Sequence, residues 1–179
     1  MKKMILSIVA IVIVGVLVIG FYKASGLKHI SIQKSVEIDA PVEKVFAQVV
    51  YLKNFPNWSP FLEADPTQKI EIKGNDGQVG AQYHWEGNKG KDLGFQEIKE
   101  IKSNQYIKMG CDIQKPFQAQ PVFEYTFSKI GERTKVTQDF TLESGLIDAF
   151  FMWVFNARKD MSGMNERGMQ LLKIASEKG

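Results

Sequence analysis

Six short segments between residues 67 and 144 have the composition and the apolar/polar alternation of β-strands. Turn sequences such as Asn75-Asp76-Gly77 and Asn88-Lys89-Gly90 separate them. Strands joined by such short connections pair in an antiparallel manner. The sequence therefore predicts an antiparallel meander with strands at residues 67–73, 80–87, 93–102, 105–113, 121–130 and 134–144.

The clearest alternation lies in the last of these strands, where Val136, Phe140 and Leu142 share a face that we expect to point inward. Residues 30–38 alternate in the same way, with Lys34 as an interruption of the apolar face. They predict a seventh, half-buried strand that precedes the meander.

Helical signals occupy the remaining sequence. Asp39-Ala40-Pro41 begins a short helix that ends near Val50, and one more turn is expected before Pro60. From Leu146 to the end, apolar or small residues recur every three or four positions, which predicts one long amphipathic helix. The order of elements predicts an α+β fold, β-α-α-β6-α, in which a curved sheet wraps the last helix.

The first turns of that long helix carry more aromatic residues than one sheet-facing stripe requires, namely Phe150, Phe151, Trp153 and Phe155. Two interpretations are open. The rings either pack against residues 55–61, or they form a surface at a pocket mouth or at a bilayer.

Residues 4–22 carry no charged side chain. As a helix they would be about 28 Å long, close to the ~30 Å thickness of the bilayer hydrocarbon. We therefore predict a single transmembrane helix at 4–22, after a flank at 1–3 and before a linker at 23–29. A cleaved signal peptide is the alternative, but its apolar region would be shorter, about 7–15 residues. The paired Lys2 and Lys3 favour a folded domain outside the cytoplasm, although basic residues on the far side leave a cytoplasmic domain open.

Charge and residue spacing exclude several classes of function. The net charge is +3, and the basic residues are interspersed with acidic ones, so we expect no nucleic-acid partner. The one cysteine, Cys111, has no nearby His/Cys cluster, and we predict no metal, no cofactor and no catalytic residue. His84 should face solvent if Tyr83 and Trp85 face inward, whereas Glu97 is a candidate inward carboxylate.

Residues 36–46, followed by Phe55-Pro56-Asn57-Trp58-Ser59-Pro60, resemble the opening segment of the START-like helix-grip superfamily of polyketide cyclases and lipid-binding domains. Residues 79–87 and 166–173 resemble its middle and its closing helix. The resemblance implies a helix-grip domain over residues 30–179, with a seven-stranded antiparallel sheet around the C-terminal helix and a cavity between them. Relatives, some of them membrane-anchored bacterial proteins, include both enzymes and carriers, so the fold does not set the chemistry.

This resemblance implies an apolar small molecule or lipid as the ligand. Because the sequence offers few candidate acids, bases or nucleophiles, we expect binding without catalysis. A cyclase- or dehydratase-like enzyme and a protein-interaction module that uses the aromatic start of the last helix are the alternatives. For each candidate ligand contact, core packing is the other interpretation. The candidates are Trp58, Tyr83, Trp85, Phe95, Phe123, Tyr125, Phe140, Val154 and Met161.

Overall fold

The structure is a computed structural model that describes residues 2–178, with the side chains of Met4 and Ala10 left out. Within these described residues, five helices and seven strands follow one another, with short 3₁₀ segments at Leu52–Asn57 and Asn88–Gly90. The helices are α1 (Lys2–Ser25), α2 (Val42–Val50), α3 (Pro60–Ala64), α4 (Leu146–Val154) and α5 (Ala157–Glu177). The strands are β1 (His29–Ile38), β2 (Lys69–Lys73), β3 (Gln82–Gly87), β4 (Asp92–Lys102), β5 (Tyr106–Lys115), β6 (Val122–Ile130) and β7 (Arg133–Glu143).

All seven strands form one sheet in the order β1-β7-β6-β5-β4-β3-β2, and each neighbouring pair is antiparallel. Strands β2 to β7 are thus the predicted meander, and β1 joins it by pairing with β7, with Ile32 opposite Phe140. The predicted α+β helix-grip fold is confirmed. Predicted and observed strand ends differ by at most two residues.

The prediction of one long helix from Leu146 is wrong, because α4 ends at Val154 and α5 begins at Ala157. Asn156 between them has a left-handed backbone, with φ of 54°. Asparagine adopts this conformation more readily than most residues, and a helix cannot continue through it. The break separates α4 from α5.

Helix α5 packs on the concave side of the sheet and closes the core. Met169 and Leu172 of α5 are buried together with Val45 and Val49 of α2. Lys34, the polar interruption in β1, points to the same side, and its Nζ lies 2.9 Å from a carboxylate oxygen of Glu166 in α5. The interruption of the apolar pattern therefore marks an ion pair between sheet and helix.

Helix α1 is long and apolar enough to cross a membrane. Its C-terminal part packs against α4 rather than standing free: the rings of Phe21 and Phe150 stack with centroids 4.5 Å apart. A Cβ on Gly20 would lie 2.8 Å from the Phe150 ring, so glycine permits this close approach. Hence two of the four rings in question, Phe150 and Trp153, lie against α1 and not against residues 55–61. The other two, Phe151 and Phe155, are exposed at the surface.

The other side of α4 is apolar and exposed. The side chains of Ile147, Phe151 and Phe155 are 66%, 54% and 71% accessible, and those of Leu146 and Val154 are exposed as well. These five residues form what we call the α4 apolar face. It lies beside the C-terminal end of α1.

Candidate ligand-binding cavity

A cavity of about 400 Å³ lies between the concave face of the sheet and α5. Strands β3 to β7 form its floor, and Met161, Met164, Asn165 and Gly168 of α5 form its roof. The segment that contains α3 closes one side. The volume of the cavity falls within the range of ~300–1,000 Å³ that is typical of small-molecule sites.

Of the nine residues predicted from the sequence, seven line this cavity: Trp58, Tyr83, Trp85, Phe123, Tyr125, Phe140 and Met161. They come from three strands, from α5 and from the segment before α3, so only the fold brings them together. That they contact a ligand remains a prediction. The other two candidates, Phe95 and Val154, do not line the cavity.

Phe95 was predicted on the wrong face of its strand. It lies opposite His84 in the β3–β4 pair, and the two rings stack 5.1 Å apart on the outer face of the sheet. The neighbouring Gln96, opposite Tyr83, faces the cavity instead. Adjacent residues of a strand point to opposite faces, so a one-residue error in the face assignment exchanges the two sets.

Glu97, the candidate inward carboxylate, also lies on the outer face. It accepts a hydrogen bond from Gln82 Nε2 at 3.0 Å, and its ion pair with Lys99 holds its pKa below the usual range. His84 faces outward as expected. Burial lowers the pKa of His84, which favours the neutral form of the ring.

Val154 does not reach the cavity because it belongs to α4 and not to a continuous last helix. Its side chain is 50% accessible in the α4 apolar face. The left-handed Asn156 that ends α4 is the reason.

Two tryptophans form rigid parts of the wall, because each indole is held by a hydrogen bond. Trp58 Nε1 donates to the carbonyl of Gln48 at 2.9 Å, and Trp85 Nε1 donates to Asp92 Oδ1 at 3.0 Å. The Trp85 ring lies directly on β4 at Gly94, where a Cβ would be 2.6 Å from it. Fixed rings of this kind leave a defined space instead of collapsing into it.

Edge-to-face aromatic contacts join residues of the cavity wall to one another. Phe55 contacts both Trp58 and Tyr83, with ring centroids 4.8 Å and 5.1 Å apart, and Trp58 contacts Tyr125 at 6.1 Å. This geometry is the favourable one for aromatic pairs. The 3₁₀ segment Leu52–Asn57 is thereby anchored to the sheet across one end of the cavity.

Uncharged polar groups occupy the centre of the wall. Tyr83, Gln96, Tyr125 and Gln138 are all more than 90% buried, and Gln138 Nε2 donates to the Tyr125 hydroxyl at 2.9 Å. Neither glutamine is among the residues predicted from the sequence. Gln138 could have been found, since it precedes Phe140 by two residues on the same face, whereas the wrong face assignment of β4 concealed Gln96.

These central groups stay neutral at physiological pH. Burial raises the pKa of the Tyr83 and Tyr125 hydroxyls, and it raises the pKa of the Cys111 thiol, which also lines the cavity, to about 12. Carboxylates occur in the wall at Asp92, which is bound by the Trp85 indole, and at the exposed Asp160. Within the described residues, no three His, Cys, Asp or Glu side chains are placed to hold a metal ion.

The cavity opens where its lining residues are exposed. Phe61 of α3 and Phe117, in the connection between β5 and β6, are 45% and 60% accessible. Ala157 and Asp160, at the start of α5, also line the cavity near this opening. The opening is therefore only a few residues from the break at Asn156 and from α4.

A sequence model of the family described as "polyketide cyclase / dehydrase and lipid transport" matches residues 29–177. This chain belongs to that family. The match covers the whole sheet and all helices except α1, which agrees with the resemblance seen in the opening, middle and closing segments. No curated protein is significantly similar in sequence to this family member.

Solved structures share its fold. Protein CV1439 of Chromobacterium violaceum superposes with a TM-score of 0.63 at 12% identity, over 83% of this chain and 98% of the other. TTHA0849 of Thermus thermophilus gives 0.61 at 16% identity, over 82% and 97%. Ara h 8.0201 gives 0.60 at 15% identity, over 83% and 97%. At such identities the likeness concerns the fold alone.

Proposed function

We propose that this chain is a membrane-tethered binding or carrier protein for an apolar small molecule or lipid, which it holds between the sheet and α5. The observation that carries the proposal is the cavity of about 400 Å³, walled mainly by aromatic and aliphatic side chains. Membership of a family whose description includes lipid transport supports the same conclusion.

Apolar contact is enough to bind such a ligand. A molecule that buries ~400 Å² of apolar surface gains about 10 kcal/mol, from which association costs of ~4–15 kcal/mol must be subtracted. Walls that are already ordered keep these costs near the lower end. The hydrogen-bonded indoles of Trp58 and Trp85 are ordered in this sense.

Binding without catalysis is favoured by the chemistry of the wall. A cyclase- or dehydratase-like enzyme needs an acid or base of suitable pKa next to the reacting atoms. The buried centre of the cavity instead offers tyrosine hydroxyls, glutamine amides and a thiol whose pKa burial raises to about 12. None of these exchanges a proton readily near pH 7.

The tether is supported by α1 and α4 together. Helix α1 has the length and composition of a membrane span. If it crosses a bilayer, the α4 apolar face lies at the interface beside the end of the span, where exposed apolar side chains are stabilised by lipid. Both features keep the cavity close to the phase in which an apolar ligand is concentrated, which raises its effective concentration.

Ligand binding is tested with the full chain in lipid nanodiscs and a photoactivatable hydrocarbon probe. We expect cross-links to peptides that line the cavity, such as the one containing Met164. The Met164→Trp variant fills the roof of the cavity and should lower this labelling several-fold. Ile174→Trp, at an exposed position of the same helix, is the matched control. Absence of cavity labelling in the wild type would contradict the proposal.

Membrane tethering is tested separately by alkaline extraction of membranes that contain the full chain. We expect the chain to stay with the lipid and its mass to include residues 4–22. An Ile13→Arg substitution, which costs about 2.5–3.5 kcal/mol near the centre of a span, should release a measurable fraction. Recovery of a shortened soluble chain would identify a cleaved signal peptide instead.

A further inference from the structure

The polar groups at the centre of the cavity have hydrogen-bonding capacity that the protein does not use. Tyr83 and Gln96 face each other across β3 and β4, and Tyr125 and Gln138 face each other across β6 and β7. All four side chains line the cavity. Within residues 2–178, the Tyr83 hydroxyl, Gln96 Nε2 and Gln138 Oε1 have no hydrogen-bond partner.

Unused groups of this kind require an explanation, because buried polar atoms in folded proteins nearly always have a partner. Their accessibilities are low: 2% for Tyr83, 7% for Gln96 and 3% for Gln138. A purely apolar ligand would leave them unpaired and removed from water. A ligand with a matching polar group would satisfy them.

We propose that the ligand is an uncharged apolar molecule with one or two hydroxyl or carbonyl groups, which hydrogen-bond to Tyr83, Gln96 and the Tyr125–Gln138 pair. This inference rests on the proposed binding function. A tyrosine hydroxyl both donates and accepts, and a glutamine amide offers one group of each kind. The set therefore matches an alcohol or a ketone equally well.

An ionised ligand is disfavoured at this position. A buried carboxylate needs a cation or several donors to replace its hydration. The charged side chains in the wall, Asp92 and Asp160, are acidic and would repel it. Lys34 lies opposite Gln138 in the β1–β7 register, but its Nζ is already paired with Glu166 at 2.9 Å.

The preference for an uncharged polar ligand can be tested with the full chain in lipid nanodiscs and the same photoactivatable hydrocarbon probe. Unlabelled dodecanol, dodecane and dodecanoate, which share one chain length, compete for the probe at neutral pH. For each competitor, the half-displacement concentration is compared between the wild type and the Tyr83→Phe/Gln96→Met variant. The lipid content is kept constant, so that loss of competitor into the lipid affects both proteins equally. Gln138→Met provides an independent variant, and the exposed Gln105→Met is the control.

The double variant should raise the half-displacement concentration of dodecanol about tenfold, because it removes donors that the alcohol uses. That of dodecane should stay constant, which also demonstrates an intact cavity. Gln138→Met should act in the same direction, and Gln105→Met should have no effect. In the wild type, dodecanoate should displace the probe less effectively than dodecanol.

Two results would overturn the inference while the binding function survives. One is an unchanged dodecanol value in both cavity variants, which would mean that these groups bind only solvent. The other is displacement by dodecanoate as effective as that by dodecanol. If the hydrocarbon probe fails to label the cavity of the wild type at all, the binding function itself is wrong, and this inference with it.

Discussion

Replacing Gly94 by alanine tests the construction of the cavity wall. The Trp85 ring lies on β4 at this glycine, and a Cβ there would be 2.6 Å from the ring and 2.4 Å from the carbonyl oxygen of Asp112. Neither neighbour can move without cost, since the carbonyl belongs to β5 and the indole is bound to Asp92. The added methyl group must therefore displace a strand or the tryptophan.

Gly110 on the adjacent strand β5 is the matched control. A Cβ there would meet the flexible end of Lys99, with 3.1 Å to Cε, on the outer face of the sheet. Both substitutions reduce the conformational freedom of the unfolded chain equally, which by itself stabilises by about 0.4–1 kcal/mol. Overpacking costs about 1–3 kcal/mol, so Gly94→Ala should be less stable than Gly110→Ala by about that amount.

The free energy of unfolding is measurable by pulse proteolysis in urea on the full chain in nanodiscs. The midpoint for Gly94→Ala should fall below that of wild type, and the midpoint for Gly110→Ala should equal or exceed it. A difference between the two variants smaller than about 0.5 kcal/mol would refute the reasoning. It would mean that Trp85 does not lie on β4 and that the wall of the cavity is built differently.

Other parts of the structure lead to further expectations. Asn156→Gly should leave stability nearly unchanged, whereas Asn156→Ala should cost about 1 kcal/mol in urea unfolding, because the φ of 54° is unfavourable for a residue with an ordinary Cβ. The pKa of the Cys111 thiol is raised to about 12, so the thiol should react with iodoacetamide at pH 8 at least ~100-fold more slowly in the native chain than in urea, as measured by mass spectrometry. Equal rates would contradict the raised pKa. A double-mutant cycle of Lys34→Met and Glu166→Gln should give a coupling of at most about 1 kcal/mol that decreases with salt, since the Glu166 side chain is 58% accessible; a larger, salt-independent value would indicate a buried pair.

Most of the fold was predictable because strand signals are local. Apolar/polar alternation and turn residues set the extent of each strand to within two residues, and short connections imply antiparallel neighbours. The pairing of β1 with β7 joins residues about a hundred positions apart. The sequence alone indicated it only through the family resemblance.

The candidate site was predicted in part, and the two failures have specific causes. Alternation identifies which residues of β4 share a face, but it does not identify the inward face, because Phe95 and Gln96 begin equally plausible sets. The register opposite β3 decides in favour of Gln96. Val154 was misplaced because helical periodicity continues past Asn156 in the sequence, while the backbone does not.

The amino-acid sequence by itself determined the element types, the antiparallel meander and the apolar segment at 4–22, because each depends on neighbours in the chain. Tertiary structure decided that a space of about 400 Å³ remains between sheet and helix and that unpaired Tyr83, Gln96 and Gln138 face it. It also decided that α4 is separate from α5 and packs on α1. The size of a cavity and the side chains that face it depend on how elements distant in the sequence pack against each other, and no local sequence pattern specifies that packing.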